Sequence, residues 1–286
     1  MAFEHQPQGT ARAQIVILHG LEGSAEAGYI RSFAQWALER GFGVHRLNMR
    51  GCGGTEALCE TMYHSGLTGD TRLVLERIRQ RRMGPLFVLG FSLGGNVALK
   101  LAGELGETDL IAGVCTVSTP IDLAVCVRCT EKLSNLLYAR RFLDRLKARV
   151  RRMSQLAPHR FNPAGLEEVR TIWEFDDRFT AQFFGFGTAK NYYATQSAVR
   201  YLDSIRVPGL LISAKDDPLV PFELYRDAMI AANPALTLVA PEHGGHLGFI
   251  SRRTPRFWVD GVILSWIDKL LGAHLEIKQV SVTSQA

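Results

Sequence analysis

Leu86 to Phe91 is an unbroken apolar run of strand length, closed by Gly90-Phe91-Ser92-Leu93-Gly94, after which Val97, Leu101 and Leu105 recur at helical spacing. A buried strand that passes into a helix across one serine belongs to a parallel sheet whose helices cross back over its faces. Glycines flank such a turn because side chains there would collide with neighbouring backbone, and the turn leaves the Ser92 Oγ exposed above the sheet edge. Ser92 is therefore a candidate nucleophile.

The rest of the chain repeats this alternation. Strands are expected at Ile15 to Leu18, Val44 to Leu47, Leu86 to Leu89, Ile111 to Val117, Leu210 to Ser213 and Leu236 to Val239. Helices are expected near Tyr29 to Arg40, Thr68 to Arg82, Leu93 to Leu105, Phe222 to Ala232 and Arg256 to Leu271. Pro85, Pro208 and Pro234 fall just before strands, where a missing N–H costs least. Asp122 to Arg200 breaks the rhythm: it holds helical and aromatic-rich stretches and is far longer than an ordinary connection of ~2–6 residues. The expectation is one α/β domain over residues 1–286 with a helical cap or lid inserted at 122–200.

A serine hydroxyl attacks only when a base takes its proton, and the base needs a carboxylate to hold its tautomer. In a sheet of this type the order along the chain is serine, acid, histidine. Asp216-Asp217-Pro218-Leu219-Val220-Pro221 follows the strand ending at Ser213, and His243-Gly244-Gly245-His246 follows the strand ending at Val239. Both lie past strand ends, where the ligand crevice of a parallel sheet opens. Asp217 is favoured over Asp216 because it opens the turn that the prolines stiffen. His246 is favoured over His243 because the Gly-Gly pair lets the loop fold back over Ser92. For the negative oxygen of a tetrahedral intermediate, the Leu93 N–H follows the nucleophile directly. Leu21 N–H, in His19-Gly20-Leu21-Glu22-Gly23-Ser24, is the second candidate donor. That glycine-rich loop lacks the Lys-Ser/Thr of a P-loop. The order of the histidines and aspartates matches no zinc signature, and the lone Cys126/Cys129 pair has no partner pair, so no metal is expected.

With Ser92, Asp217 and His246 in this order, the chain resembles the α/β-hydrolases, and more narrowly their YheT-like esterase branch. Further blocks carry the likeness: Asn48-Met49-Arg50-Gly51-Cys52-Gly53-Gly54, Tyr63-His64-Ser65-Gly66, Phe175-Asp176-Asp177, Tyr192-Tyr193 and Leu247-Gly248-Phe249. The resemblance implies hydrolysis of carboxylic esters, of short-chain acyl or monoacylglycerol type, with no cofactor and a helical cap over the site. Arg50 and His64 are read as loop ties, and Tyr192 and Tyr193 as core aromatics. Such relatives carry antiparallel strands before the first parallel one. Only about fourteen residues precede Ile15, so the sheet is expected to be short at that edge. Two other functions use the same frame: acyl transfer, with an alcohol replacing water, and ligand binding without catalysis. An ordered base and carboxylate argues against the second.

Charge narrows the partners. Lys+Arg number 33 against 28 Asp+Glu, a net +5, yet Arg140 to Arg152 alone holds seven cations and one acid. Within it Ala139, Leu143, Leu146, Val150 and Met153 form one apolar stripe, so a basic amphipathic helix is expected, with its cations on the remaining arc. Such a helix suits peripheral contact with an anionic membrane, alongside the plainer reading of a solvated face. No nucleic-acid motif accompanies it. No run of about 18 apolar residues is present, and the opening segment lacks the apolar stretch of a signal peptide. Five scattered cysteines suit reduced thiols. The expectation is a soluble cytoplasmic protein.

Overall fold

A computed structural model describes residues 1–226, 228–252 and 254–283. The strands are β1 (Ala2–His5), β2 (Gln14–Leu18), β3 (Gly43–Leu47), β4 (Leu86–Phe91), β5 (Gly113–Val117), β6 (Gly209–Ile212) and β7 (Leu236–Val239). They form one sheet in the order β1-β3-β2-β4-β5-β6-β7. All neighbours run parallel except β1, which is antiparallel to β3.

Every residue of β2, β4, β5 and β6 is buried, which is why these segments read as continuous apolar runs. Alternate residues still serve opposite faces. Ile15, Ile17, Phe87 and Leu89 pack with Ile30 and Phe33 of α1 (Gly28–Glu39) and Val259, Ile263 and Ile267 of α10 (Trp258–Thr283). Val16, Leu18 and Val88 pack with Leu75 and Ile78 of α2 (Gly69–Gln80) and Val97 and Leu101 of α3 (Leu93–Leu105). Each such side chain contributes about 1.5–3 kcal/mol when fully buried.

β1 answers the expectation of a short edge: one antiparallel strand does precede Ile15. It escapes sequence reading because three of its four residues are exposed, so it has no apolar alternation; backbone pairing with β3, the Arg81–Glu4 pair (2.6 and 2.8 Å) and the Arg46 guanidinium over Phe3 hold it. The helix expected over Phe222 to Ala232 is instead a 3₁₀ turn at Phe222–Arg226 followed by α9 (Ala228–Ala232). There Tyr225 turns inward, its Oη donating to Thr119 O (2.7 Å) and accepting from Thr119 N–H (2.9 Å).

Between β5 and β6 the chain forms only helical elements, among them α4 (Leu123–Thr130), α5 (Leu136–Leu156), α6 (Ile172–Phe175), α7 (Ala181–Phe183) and α8 (Ala189–Gln196). Asp122 caps α4 by accepting from Val125 N–H (3.0 Å). The apolar stripe of α5 packs Leu143, Leu146, Val150 and Met153 against Phe161, Leu166, Ile172 and Phe175. One expectation is corrected: Lys147 and Arg149 are buried, not on the solvent arc. Helical spacing places a residue on an arc but does not reveal a charged partner waiting beneath it. Arg149 has one.

On the opposite side of the sheet, Asp260 in the first turn of α10 is buried, and its one side-chain partner among the described residues is neutral, the Ser32 hydroxyl at 2.7 Å. Burial pushes its carboxyl up to about 7, with the Ser32 hydrogen bond opposing. The folded protein thus keeps a proton that the unfolded chain loses near its ordinary value of 3.8, so stability falls as pH rises from that value to about 7. Asp260→Asn is expected to match the wild type near pH 4 and to exceed it by a few kcal/mol at pH 8 in denaturant melts. Equal pH profiles for the two proteins would contradict this.

Candidate active site

Ser92 sits between β4 and α3 with φ +51° and ψ −120°, a conformation that a residue with a side chain adopts only when its surroundings enforce it. Its N–H donates to Val117 O on β5 (2.8 Å). A Cβ on Gly94 would meet Leu18 O and His19 O at 2.6 Å, and one on Gly90 would strike Gly94 O. Those two glycines allow the chain to bend this sharply beneath the serine.

The carboxylate and imidazole that meet Ser92 come from the loops after β6 and β7. His246 Nε2 lies 2.9 Å from Ser92 Oγ, and its Nδ1 lies 2.9 Å from Asp217 Oδ2 and 3.2 Å from Oδ1. Because a carboxylate only accepts, Nδ1 carries the proton, leaving Nε2 free to accept from the Ser92 hydroxyl. The Asp217 side chain is fully buried, and its Oδ1 also accepts from Leu219 N–H (2.9 Å) and Val220 N–H (3.1 Å). The turn behind it is held by the helical insertion: Pro218 O accepts from Asn135 Nδ2 (2.7 Å) and the Cys129 thiol (3.4 Å). Cys129 therefore braces the turn behind Asp217, whereas Cys126 lines the cavity in front of Ser92; both thiols are buried and free.

The two candidates not favoured also meet each other. Asp216 accepts from Gly244 N–H (2.9 Å), Gly245 N–H (2.8 Å) and His243 Nδ1 (3.2 Å). The backbone N–H of Gly245, above all, holds its carboxyl below the usual range. Asp216 thus clamps the loop that delivers His246, and Gly245 makes the turn with φ +57°.

The loop after β2 lies against the serine, for a Cβ on Gly20 would stand 3.2 Å from Ser92 Cβ. Three aromatic side chains fix it. Gly20 N–H donates to Tyr29 Oη (3.1 Å) and Glu22 N–H to Tyr63 Oη (2.9 Å). His19 donates from Nδ1 to Gly20 O (2.7 Å) and accepts from Met49 N–H at Nε2 (3.1 Å). Burial lowers His19 to about 4, so it stays neutral in that tautomer. Sequence reading passed over His19, although its place before the glycines was a usable signal. Leu21 and Leu93 N–H donate to no protein acceptor among the described residues.

These groups open into a cavity of about 920 Å³, counting the space at its mouth. Leu21, Leu93, Leu123, Phe142, Leu146 and Leu219 form apolar wall. Tyr192 and Tyr193 are both core residues and cavity wall. Tyr192 shares hydrogen bonds with Ser65, and Tyr193 donates to Asp176 (2.6 Å). Burial pushes the Asp176 carboxyl up to about 6. Arg50 ties loops as expected, with two 2.6 Å bonds to Asp70 and one of 2.7 Å to Thr61. The His64 ring packs edge-on against Phe184, Phe186 and Tyr192.

A strained serine at the carboxyl edge of a parallel sheet, bonded to an imidazole whose far nitrogen meets a buried carboxylate, is the arrangement of the α/β-hydrolase fold. Known proteins agree. The sequence profile of the alpha/beta hydrolase fold family matches residues 14–252. The chain is 34% identical over 276 residues to the Escherichia coli (strain K12) protein named "Putative esterase YheT", covering 94% of this chain and 81% of that one. It is 30% identical to a "Monoacylglycerol lipase" of Saccharomyces cerevisiae, over 87% of this chain and 57% of that longer one. Est1E of Butyrivibrio proteoclasticus, solved with ferulic acid, shares the fold at a TM-score of 0.62 and 15% identity, with 95% of each chain covered. The chain belongs to the α/β-hydrolase family, in its YheT-like branch.

Proposed function

We propose that the protein hydrolyses carboxylic esters, of short-chain acyl or monoacylglycerol type, through an acyl-enzyme on Ser92. The observation that carries this reading is the continuous relay from Ser92 Oγ through His246 to Asp217 at 2.9 Å per step. Ser92 Oγ attacks the ester carbonyl carbon while its proton passes to His246 Nε2, and Asp217 stabilises the imidazolium. The carbonyl oxygen, now negative, is received by the Leu21 and Leu93 N–H groups. The carbonyl re-forms, the alcohol leaves with the proton from His246, and water repeats the sequence to release the acid. Residues 1–286 act as one domain, with 122–200 as the cap, whose apolar wall receives the acyl chain. The test is covalent labelling of Ser92 by a fluorophosphonate together with turnover of p-nitrophenyl acetate and butyrate. A folded protein that shows neither would sink the proposal.

The cap carries a second part of the reading, peripheral contact with an anionic membrane. Within 140–152, Arg149, Arg151 and Arg152 are engaged by Glu22, Glu167 and Glu56, which weakens a claim based on those cations. The favourable feature lies just before them. Leu133 and Leu137 are 87% and 86% exposed, Leu136 and Tyr138 about half, and Lys132, Arg140, Arg141 and Arg145, before and after them in the chain, are exposed as well. Exposed apolar side chains with exposed cations close by in sequence, of which Arg140 faces Asp144 at 4.0 Å, suit a bilayer surface. The protein is expected to float with anionic vesicles in low salt and not with neutral ones, and Leu137→Glu to abolish flotation; equal, salt-insensitive binding to both vesicles would discard the idea. No helix among the described residues is long and apolar enough to cross a membrane. We place the protein in the cytoplasm, a reading supported by its five unpaired thiols.

A further inference from the structure

We infer that Arg149, contributed by the helical insertion, is a positioning residue: through Glu22 it holds the loop after β2 so that the Leu21 N–H faces the reacting carbonyl. The inference rests on the ester-hydrolase reading above and extends it to a residue no catalytic motif contains.

Arg149 Nη2 lies 2.5 Å from Glu22 Oε1 and 3.0 Å from the Cys52 thiol, and its guanidinium stands 4.4 Å above the centroid of the Tyr63 ring. Both members of the pair are nearly sealed from solvent, with side chains 4% and 5% exposed, and both line the cavity in front of Ser92. Tyr63 completes the grip, since its hydroxyl accepts from Glu22 N–H (2.9 Å) and donates to Glu22 Oε1 (3.2 Å). Glu22 is therefore bound at backbone and side chain at once.

That double hold matters because of backbone conformation. Glu22 has φ +53°, in the left-handed region that side chains disfavour and that persists only when neighbours over-determine it. Rotation about this bond swings the preceding peptide, Leu21 C=O with Glu22 N–H, and so shifts the next unit back, which carries the Leu21 N–H. Stability does not explain the arrangement: a sealed ion pair is seldom better for folding than an apolar pair of the same shape, and here Arg149 Nε is left buried without a partner. Val150 and Met153, beside it on α5, do the ordinary packing. The pair sits instead where the insertion meets the loop, so the insertion adds its own hold, through the Glu22 side chain, to those that Tyr29, Tyr63 and His19 already place on the loop. Cap seating thereby tunes chemical competence.

The experiment compares steady-state hydrolysis of p-nitrophenyl butyrate by the full-length wild type, Arg149→Met, Arg149→Lys, Tyr63→Phe and the Glu22→Gln/Arg149→Met double variant, with thermal melts of each. Arg149→Met is expected to lower kcat between about 10- and 100-fold, less than or similar to losing an oxyanion donor outright, with KM within about twofold. Arg149→Lys restores part of kcat, and the double variant falls no further than Arg149→Met, because Glu22 and Arg149 act as one unit. Tyr63→Phe keeps the ring beneath the guanidinium and loses only the hydroxyl's hold on Glu22, so its kcat is expected to fall about 3- to 10-fold; should Arg149→Met not fold, Arg149→Lys decides the matter, with kcat below wild type at unchanged KM expected. Folded variants with wild-type kcat, or with the whole loss in KM, overturn the inference. Failure of the ester reading is separate and visible, as turnover that survives Ser92→Ala.

Discussion

Ser92→Ala is expected to lower kcat for p-nitrophenyl butyrate by about 10⁴- to 10⁶-fold and to abolish fluorophosphonate labelling, without loss of fold. The magnitude follows from the relay. His246 Nε2 has Ser92 Oγ as its partner at 2.9 Å, so alanine removes the group proposed as both nucleophile and proton donor. What survives is the contribution of N–H donors and binding, worth about 10³–10⁴ over uncatalysed reaction in a comparable hydrolase. The fold should tolerate the change because alanine is smaller and the turn is shaped by Gly90 and Gly94, not by the hydroxyl. Turnover within tenfold of wild type would show that another group attacks.

The adjacent aspartates are expected to part company by orders of magnitude. Asp217→Asn should cost about 10³- to 10⁴-fold in kcat, with KM little changed, because an amide presents a donor as well as an acceptor to His246 Nδ1 and permits the tautomer in which Nε2 carries the proton. That tautomer cannot accept from Ser92. Asp216→Ala removes the acceptor for the Gly244 and Gly245 N–H groups but leaves the buried Asp217–His246 contact untouched. Its cost should be about tenfold, through looser placement of the loop. Steady-state kinetics of the two variants on one ester decide the matter. Comparable losses would mean that Asp216 does more than hold the loop.

Local chemistry made much of this molecule readable before any coordinates. The strand residues of β2 and β4 are buried on both faces, and full burial writes itself as an uninterrupted apolar run. The elbow is equally local, since Gly90, Ser92 and Gly94 satisfy a steric demand within one turn of chain. Even α3 begins and ends where its apolar spacing says, at Leu93 and Leu105. β1 left no such trace, because an edge strand with exposed side chains is specified by the partner backbone and by distant partners such as Arg81 and Arg46, which its own residues do not announce.

From its sequence alone, the chain determined a parallel sheet, a serine at its carboxyl edge, and an acid and a histidine that follow in order on later loops. Turn chemistry also favoured Asp217 and His246 over their neighbours, and the two meet. Tertiary structure alone decided what the other members do: it set Asp216 on the glycines beside His246, and it drew Arg149 from a basic helix face inward onto Glu22. The reason is physical: burial and turn geometry depend on neighbours a few residues away, whereas the partner of a charged or hydrogen-bonding group is chosen by where the sheet and its insertion bring distant segments together.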